Sequence, residues 1–300
     1  AGASIMGGTT LVMLERFHPA KVLDLVEREQ ITILGQVPTM FIMEMTLPDI
    51  ADFDLSSVRL ALIAGAATPA EAMHQVAKMA PLTTHAYGLT EGTGMVSYTD
   101  PTDSIETLTQ SVGRMPAGIE VCIVDDDRRP VPTGEVGEIA LRGDVVMAGY
   151  FDNPEATAAQ IDADGWLYTG DFGVLDERDY LFMKGCKKEM YISGGYNVYP
   201  LEIERYVNDH PDVITCACVG RPDPVMGEVG ILFVLLKAGA TTTRRQLRAY
   251  CKAGLARYKL PRQIQIMDVL PTMSNGEIDK DALAKIRNGN GNGAPARVTV

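Results

Sequence analysis

Nothing in this 300-residue sequence is long and apolar enough to cross a bilayer. The longest wholly aliphatic and aromatic run, Ile231 to Leu236, falls far short of the roughly 20 residues a spanning helix needs. No charged segment followed by an apolar one opens the chain, so no secretory leader is read there. A basic excess is lacking too: 27 Lys and Arg stand against 39 Asp and Glu, for a net charge of −12. That balance argues against a general nucleic-acid surface but leaves room for a local anionic-ligand site. Cysteine is scarce. The five residues Cys122, Cys186, Cys216, Cys218 and Cys251 are odd in number, are not spaced as a disulfide frame, and fit a reducing compartment. These absences predict a cytoplasmic protein with no nucleic acid among its partners and no transmembrane segment. No internal repeat is visible. What remains, 46% hydrophobic and 22% charged residues, is an ordinary globular composition long enough for two unequal cores.

The chain opens without Met, in an apolar run with no polar lead-in, and reads as though cut from something longer. Strands are expected at Thr9 to Leu14, Ile31 to Val37 and Val58 to Ala64, with helices over Pro19 to Glu29, from Pro38, and over Pro69 to Met79. Such alternation predicts a parallel sheet with ligands beyond the carboxyl ends of its strands. Gln36-Val37-Pro38, Gly65-Ala66-Ala67 and Tyr87 to Glu91 would then share one rim. After Asp100, short strands at Ile119 to Val124, Val136 to Arg142 and Tyr180 to Met183, separated by Asp, Gly and Pro clusters, suggest a small antiparallel β-barrel or sheet. Asp125-Asp126-Asp127 lies in a hairpin turn of this region rather than in a metal cluster. Beyond Lys188 a separate α+β unit begins. The predicted fold class is therefore α/β, with a parallel-sheet part over residues 1–110, a small antiparallel barrel over 111–187, an α+β domain over 188–288 and a disordered tail over 289–300. Cys216 and Cys218 share a strand face near His210, where a metal site is conceivable and buried filler is the simpler reading.

The chemistry-bearing residues gather in a few turns. Tyr87 offers a flat face for a base, Thr90 a hydroxyl for phosphate and Glu91 a hard oxygen for Mg²⁺. Asp171, after the tight turn at Gly170, suits acceptance from two ribose hydroxyls. Gly194 and Gly195 precede a helix begun at Pro200. Each is weak alone.

Their order is not. Gly65-Ala66-Ala67, Tyr87-Gly88-Leu89-Thr90-Glu91, Gly137-Glu138 with Arg142-Gly143 and Gly149-Tyr150, Trp166 to Asp171, Ser193 to Pro200 with Glu202 and Glu204, and Leu270-Pro271 with Gly276 follow one another from about residue 5 to 288. In this the chain resembles the adenylate-forming superfamily, in its acyl-CoA synthetase branch, and specifically the C-terminal portion of such an enzyme. The resemblance implies a two-step reaction: a carboxylic acid and ATP give acyl-AMP and pyrophosphate, then a small domain swings and the CoA thiol displaces AMP. It implies that Gly65, Ala66, Ala67, Tyr87 and Gly88 hold the adenine nucleotide, with Thr90 on the α-phosphate and Asp171 on the ribose. Glu91 would hold magnesium, Lys188 would form the hinge, and Ser193, Gly194 and Gly195 would border the CoA tunnel. Val37, Gly65, Gly88 and Met95, with Met40, could line an acyl pocket, although methionines at helical spacing are more often core packing. Residues 1–110 would belong to the AMP-binding domain and 188–288 to the mobile domain.

Three departures from that pattern stand out. The phosphate-cradling loop of the type S-G-T-T-G-x-P-K-G is absent; Gly7-Gly8-Thr9-Thr10 lacks its proline and lysine. The expected ribose-binding Arg is Cys186, a loss of about 1.5 to 3 kcal/mol if a charge-assisted bond goes with it, which Lys187 could offset only in part. The expected catalytic Lys is Glu277, with Lys280 expected to face elsewhere. All three weaken ATP use. The leading reading is a portion of an acyl-CoA synthetase impaired in adenylation as an isolated chain, with a missing N-terminal region or an oligomeric partner covering apolar surface near Met6 to Leu14 and Met40 to Leu47. The alternative is a degenerate module that binds an adenine nucleotide or CoA and regulates or docks to a partner.

Overall fold

The computed structural model describes residues 6–66, 68–273 and 276–286. Ala67 and the tail expected at 289–300 lie outside them. Proline opens the first two helices, where its missing N–H and fixed φ are harmless: α1 (Pro19–Glu29) and α2 (Pro38–Met45). α1 turns Val22, Leu23 and Val26 inward and ends where Gln30 becomes left-handed at φ 51°. Strands β1 (Ile33–Gln36), β2 (Leu60–Ala64) and β3 (Leu82–Leu89) are parallel, with helix α3 (Ala70–Met79) between the last two. Gln36 lies opposite Ile63 and Ala64 opposite Ala86, so the carboxyl ends open on one rim as the strand–helix alternation implies. A further strand, β4 (Gly94–Tyr98), runs antiparallel to β3 and makes the sheet mixed. It approaches so closely that a Cβ on Gly88 would lie 2.0 Å from the Gly94 carbonyl oxygen.

The strand expected at Thr9 to Leu14 is absent. β1 is an edge of the sheet, with β2 as its partner among the described residues, and the segment before α1 leaves Leu11, Met13 and Leu14 exposed. Met43 on α2 is exposed as well. Apolar surface is thus present on the segments where it was expected.

Helix α4 (Ile105–Gln110), capped by Ser104, leads to the second sheet, formed by β5 (Ile119–Val124), β6 (Gly137–Gly143), β7 (Leu167–Leu175) and β8 (Leu181–Cys186). Every neighbour is antiparallel and the order is 5-6-7-8, an open meander and not the expected barrel. Four strands enclose too little interior to close around side chains, so β5 and β8 stay as edges. The Asp125 carboxylate accepts the N–H groups of Asp127 and Arg129, which makes the aspartate run a hairpin turn as expected. Ile139, Leu141 and Leu181 of the meander pack with Tyr87 and Val96 of the first sheet.

The remaining sheet follows the order β10 (Tyr196–Val198), β9 (Tyr191–Ser193), β12 (Gly227–Leu236), β11 (Val213–Asp223), with β13 (Gln263–Met267) also paired to β12. Helices α6 (Pro200–Asn208) and α7 (Arg244–Gly254) cover one face, around Ile203, Val207, Leu232 and Leu247. Helix α8 (Lys280–Lys285), following α5 (Pro154–Gln160) far earlier in the chain, covers the other through Leu283 against Phe233. Cys216 and Cys218 are buried within this core, and His210 instead meets Tyr250 edge-on.

One buried polar pair in the first sheet stands apart. Gln36 Nε2 donates to Glu44 Oε1 at 2.9 Å, while Gln36 Oε1 and Glu44 Oε2 are buried with no partner. A protonated Glu44 satisfies both orphans at once, because its O–H can donate to the amide oxygen and close a two-bond ring. Burial pushes the Glu44 carboxyl up to about 7, against the lowering effect of the Gln36 bond. A raised folded-state pKa means stability that is complete below the unfolded value near 4.5 and is lost as pH rises through about 7. The expected size is roughly 3 kcal/mol. Urea unfolding from pH 5 to pH 8.5 should therefore show the wild-type chain losing stability relative to Glu44→Gln by about that amount. Parallel pH profiles for the two would show that Glu44 ionises without penalty.

Candidate functional site

The rim of the first sheet, the β7–β8 edge and helices α6 and α8 enclose a cavity of about 520 Å³. Gly65, Ala66, Tyr87, Gly88, Asp171, Cys186 and Lys188 all face it, so residues separated by more than a hundred positions in sequence meet there. Tyr87 Oη donates to Asp171 Oδ2 at 2.7 Å. Asp171 and Cys186 are cross-strand partners in β7 and β8. Burial raises the Asp171 carboxyl, and the bonds from Tyr87 and Cys186 pull it back. Burial, then the neighbouring Asp171 charge, raises the Tyr87 phenol far above its ordinary value. Burial likewise lifts the Cys186 thiol, so Cys186 is held as a neutral thiol and not as a nucleophilic thiolate. Lys187, considered as a stand-in for the missing arginine, is exposed and pairs with Glu138 at 3.7 Å, away from the cavity lining.

Glu277 reaches the same cavity from the loop before α8. Gly276, at φ 83°, lies against Val37 and Met40, and Glu277 Oε1 sits 2.9 Å from where a Cβ on Gly65 would stand. Gly65 itself has φ 93°, so its backbone favours glycine there, while the carboxylate beside it is the movable end of a flexible side chain. Lys280 does not face elsewhere: it lines this cavity, with Nζ 2.5 Å from Glu189 and 2.9 Å from Glu204. Glu204 also accepts the Cys218 N–H at 2.8 Å. Burial raises the Glu204 carboxyl against the pull of Lys280, and the two carboxylates hold Lys280 well above its ordinary range despite burial.

Thr90 and Glu91 form a single 3₁₀ turn after β3 and lie outside the cavity lining. Glu91 Oε1 accepts from Tyr150 Oη at 2.8 Å, which fixes the carboxylate at the rim. Val37 meets the Gly65 and Gly276 positions, whereas Met95 is 41% exposed on β4. The structure therefore brings Val37 and Gly65 together and leaves Met95 at the surface beside Gly88.

Ser193 and Gly194 line a second cavity of about 640 Å³. Gly194 and Gly195, at φ 59° and 87°, are the two central residues of the β9–β10 hairpin, a turn that demands positive φ at both positions. Arg248, Lys252, Arg257 and Arg262 surround this cavity, and Tyr196 stacks on Tyr258 with ring centroids 4.6 Å apart. Sequence reasoning missed these cations, as it missed His85, Glu189 and Arg205 in the first cavity. They come from helix, loop and strand positions with no motif of their own. His85 is fully inside, its Nδ1 2.9 Å from the Leu108 carbonyl, and burial lowers its proton affinity.

The chain is similar to known proteins along most of its length. Residues 2–151 match the AMP-binding enzyme family and residues 202–277 the AMP-binding enzyme C-terminal domain. The chain is 40% identical over 282 residues to a 3-[(3aS,4S,7aS)-7a-methyl-1,5-dioxo-octahydro-1H-inden-4-yl]propanoyl:CoA ligase of Rhodococcus jostii, covering 93% of this chain and 52% of that protein. It is 35% identical over 287 residues to a mitochondrial medium-chain acyl-CoA ligase of Mus musculus, covering 92% and 46%. Among solved structures, the amide bond synthetase McbA from Marinactinospora thermotolerans superposes with a TM-score of 0.84 at 32% identity, covering 92% of this chain and 56% of that one. The o-succinylbenzoate CoA synthetase of Bacillus subtilis, solved with its acyl-adenylate intermediate, gives 0.78 at 30% identity, covering 96% and 58%. The chain spans about half the length of the relatives it matches.

The Lys280 cluster makes a direct prediction. Lys280→Met removes the one ammonium between two carboxylates, one of them buried, and should destabilise the chain by roughly 3 kcal/mol or more in urea unfolding. A loss below about 1 kcal/mol would mean that water, not Lys280, compensates Glu204.

Proposed function

The chain belongs to the family of AMP-binding enzymes, and on that premise we propose that it supplies the adenine-binding wall and the C-terminal unit of an ATP-dependent acid–CoA ligase. The reaction is carboxylic acid, ATP and CoA to acyl-CoA, AMP and pyrophosphate, through acyl-AMP. One observation carries the reading: Gly65, Ala66, Tyr87 and Asp171 converge on one cavity beside Glu277, the residue at the position of the expected lysine. Tyr87 presents a ring to the base while its phenol orients Asp171, whose carboxylate accepts from ribose hydroxyls. Thr90 at the rim offers its hydroxyl to the α-phosphate. Glu91, held by Tyr150, fits a Mg²⁺ that arrives with the phosphates and needs few protein ligands, and which would neutralise their charge. Lys188 forms the hinge of a mobile unit over residues 188–288. The four cations and stacked tyrosines around Ser193 and Gly194 suit the phosphates and adenine of CoA.

The same cavity supports impairment of the first step. Glu277 puts a carboxylate where negative charge develops on the phosphates, and Cys186 offers no charge to the nucleotide. The alternative, a nucleotide- or CoA-binding module with a regulatory or docking role, is favoured by these same two residues. Two assays separate them. The isolated chain should give no acid-dependent ATP/pyrophosphate exchange but should bind AMP and form thioester from synthetic acyl-AMP and CoA. Cys186→Arg with Glu277→Lys should tighten AMP binding by about tenfold or more. Robust exchange by the unaltered chain would refute the impairment, and AMP and CoA binding without thioester formation would favour the module.

A further inference from the structure

Helix α6 lies beyond Lys188 in the chain, yet it touches β8, an edge strand of the meander that precedes Lys188. Two side chains make that contact, and they differ in kind. Tyr199, just before α6, packs on Phe172 of β7 with ring centroids 5.3 Å apart, and a Cβ on Gly185 would lie 3.2 Å from it. Arg205, within α6, sends Nη1 to the Met183 carbonyl of β8 at 2.9 Å. The rings are matched to what they touch. The guanidinium is not: its Nε is buried with no partner, and among the described residues it makes no ion pair. Six carboxylates line the cavity beside it, Asp171, Glu189, Glu204, Glu277, Asp279 and Asp281. Burial nonetheless lowers the proton affinity of Arg205, and the carboxylate that counters it is Glu202, itself bonded to Lys259 at 2.8 Å.

A cation buried with one bond and an unmet donor opposes its own burial, and an apolar side chain of similar length would be tolerated better. Water would satisfy all of it. We infer that Arg205 biases the C-terminal unit toward undocking, whereas Tyr199 holds it in the pose that puts Glu277 and Lys280 in the nucleotide cavity. The inference rests on reading residues 188–288 as a mobile unit hinged at Lys188. When α6 leaves β8, the whole guanidinium returns to water, and the Met183 carbonyl on its edge strand is hydrated as well. The same departure separates the Tyr199 and Phe172 rings. Charge and ring contact therefore act in opposite directions on one interface, which keeps the docked pose reversible.

Trypsin reads the balance. Lys187 and Lys188 are exposed, but the Lys187 N–H is bonded to the Gly170 carbonyl at 2.7 Å, so cleavage after either lysine requires the hinge to open. With circular dichroism unaltered, Arg205→Met should slow cleavage there about tenfold, and Tyr199→Ala should speed it by about as much. In the unaltered chain the cleavage rate should depend on urea far less steeply than global unfolding does. Equal or faster cleavage of Arg205→Met, or no change in Tyr199→Ala, overturns the assignment while the mobile unit stands. Cleavage of the unaltered chain with the full urea dependence of global unfolding would overturn the mobile-unit reading, and the bias with it.

Discussion

Lys280 sits between Glu189 and Glu204, and much of the arrangement around the first cavity follows from that one buried ammonium. Glu189 adjoins Lys188, Glu204 lies on α6, and Lys280 begins α8, so the three charges tie the start of the third sheet's unit to its last helix. The loop carrying Gly276 and Glu277 is thereby held short of α8 and laid against Val37, Met40 and Gly65. Removing Lys280 leaves the Glu204 carboxylate in a place that water reaches poorly, whereas removing either carboxylate leaves Lys280 paired with the other. It also means that Glu277 enters the cavity by construction: its position is fixed three residues upstream of a residue that cannot move without unpairing two carboxylates.

That geometry sets the electrostatics of the cavity. Asp171, Glu277 and the Lys280 partners give it a carboxylate-rich wall, and the chain as a whole is acidic. A polyphosphate would meet repulsion from Glu277, whereas a nucleoside with a single phosphate needs one cation and two hydroxyl acceptors. The second cavity has the opposite character, with four basic side chains and a stacked aromatic pair. That division is the electrostatic basis of the proposed loss of the first half-reaction.

The motifs were legible in the sequence because glycine turns at strand ends and their order survive any packing detail. Gly65, Tyr87, Asp171 and Cys186 meet in one cavity as their order implied. What failed was of three kinds. Apolar runs were overread: Thr9 to Leu14 has a strand-like composition but joins no sheet among the described residues, and β-propensity alone decides nothing. Closure was overread too, since short strands between turns look alike in an open meander and a barrel. β3, β4 and β7 were missed because their Gly and polar residues hide the pattern, even though β3 is buried along most of its length. Glycines also carried more than one meaning. Gly88 is required by the approach of β4 and Gly194-Gly195 by a hairpin, whatever ligand lies nearby.

Side chains whose role depends on the absence of a partner could not be read at all. Arg205 and Asn208 look like the outer face of an amphipathic helix in sequence; only the cavity, and the engagement of Lys280 and Glu202 elsewhere, makes them notable. The same holds for Lys280, whose place three residues after Glu277 suggested a turn of the helix away from the site. Glu277 instead lies before α8 and Lys280 on its first turn, and both line one cavity. Charge position along a helix is a matter of spacing, but charge availability is a matter of what else is already paired. The second is a property of the fold alone.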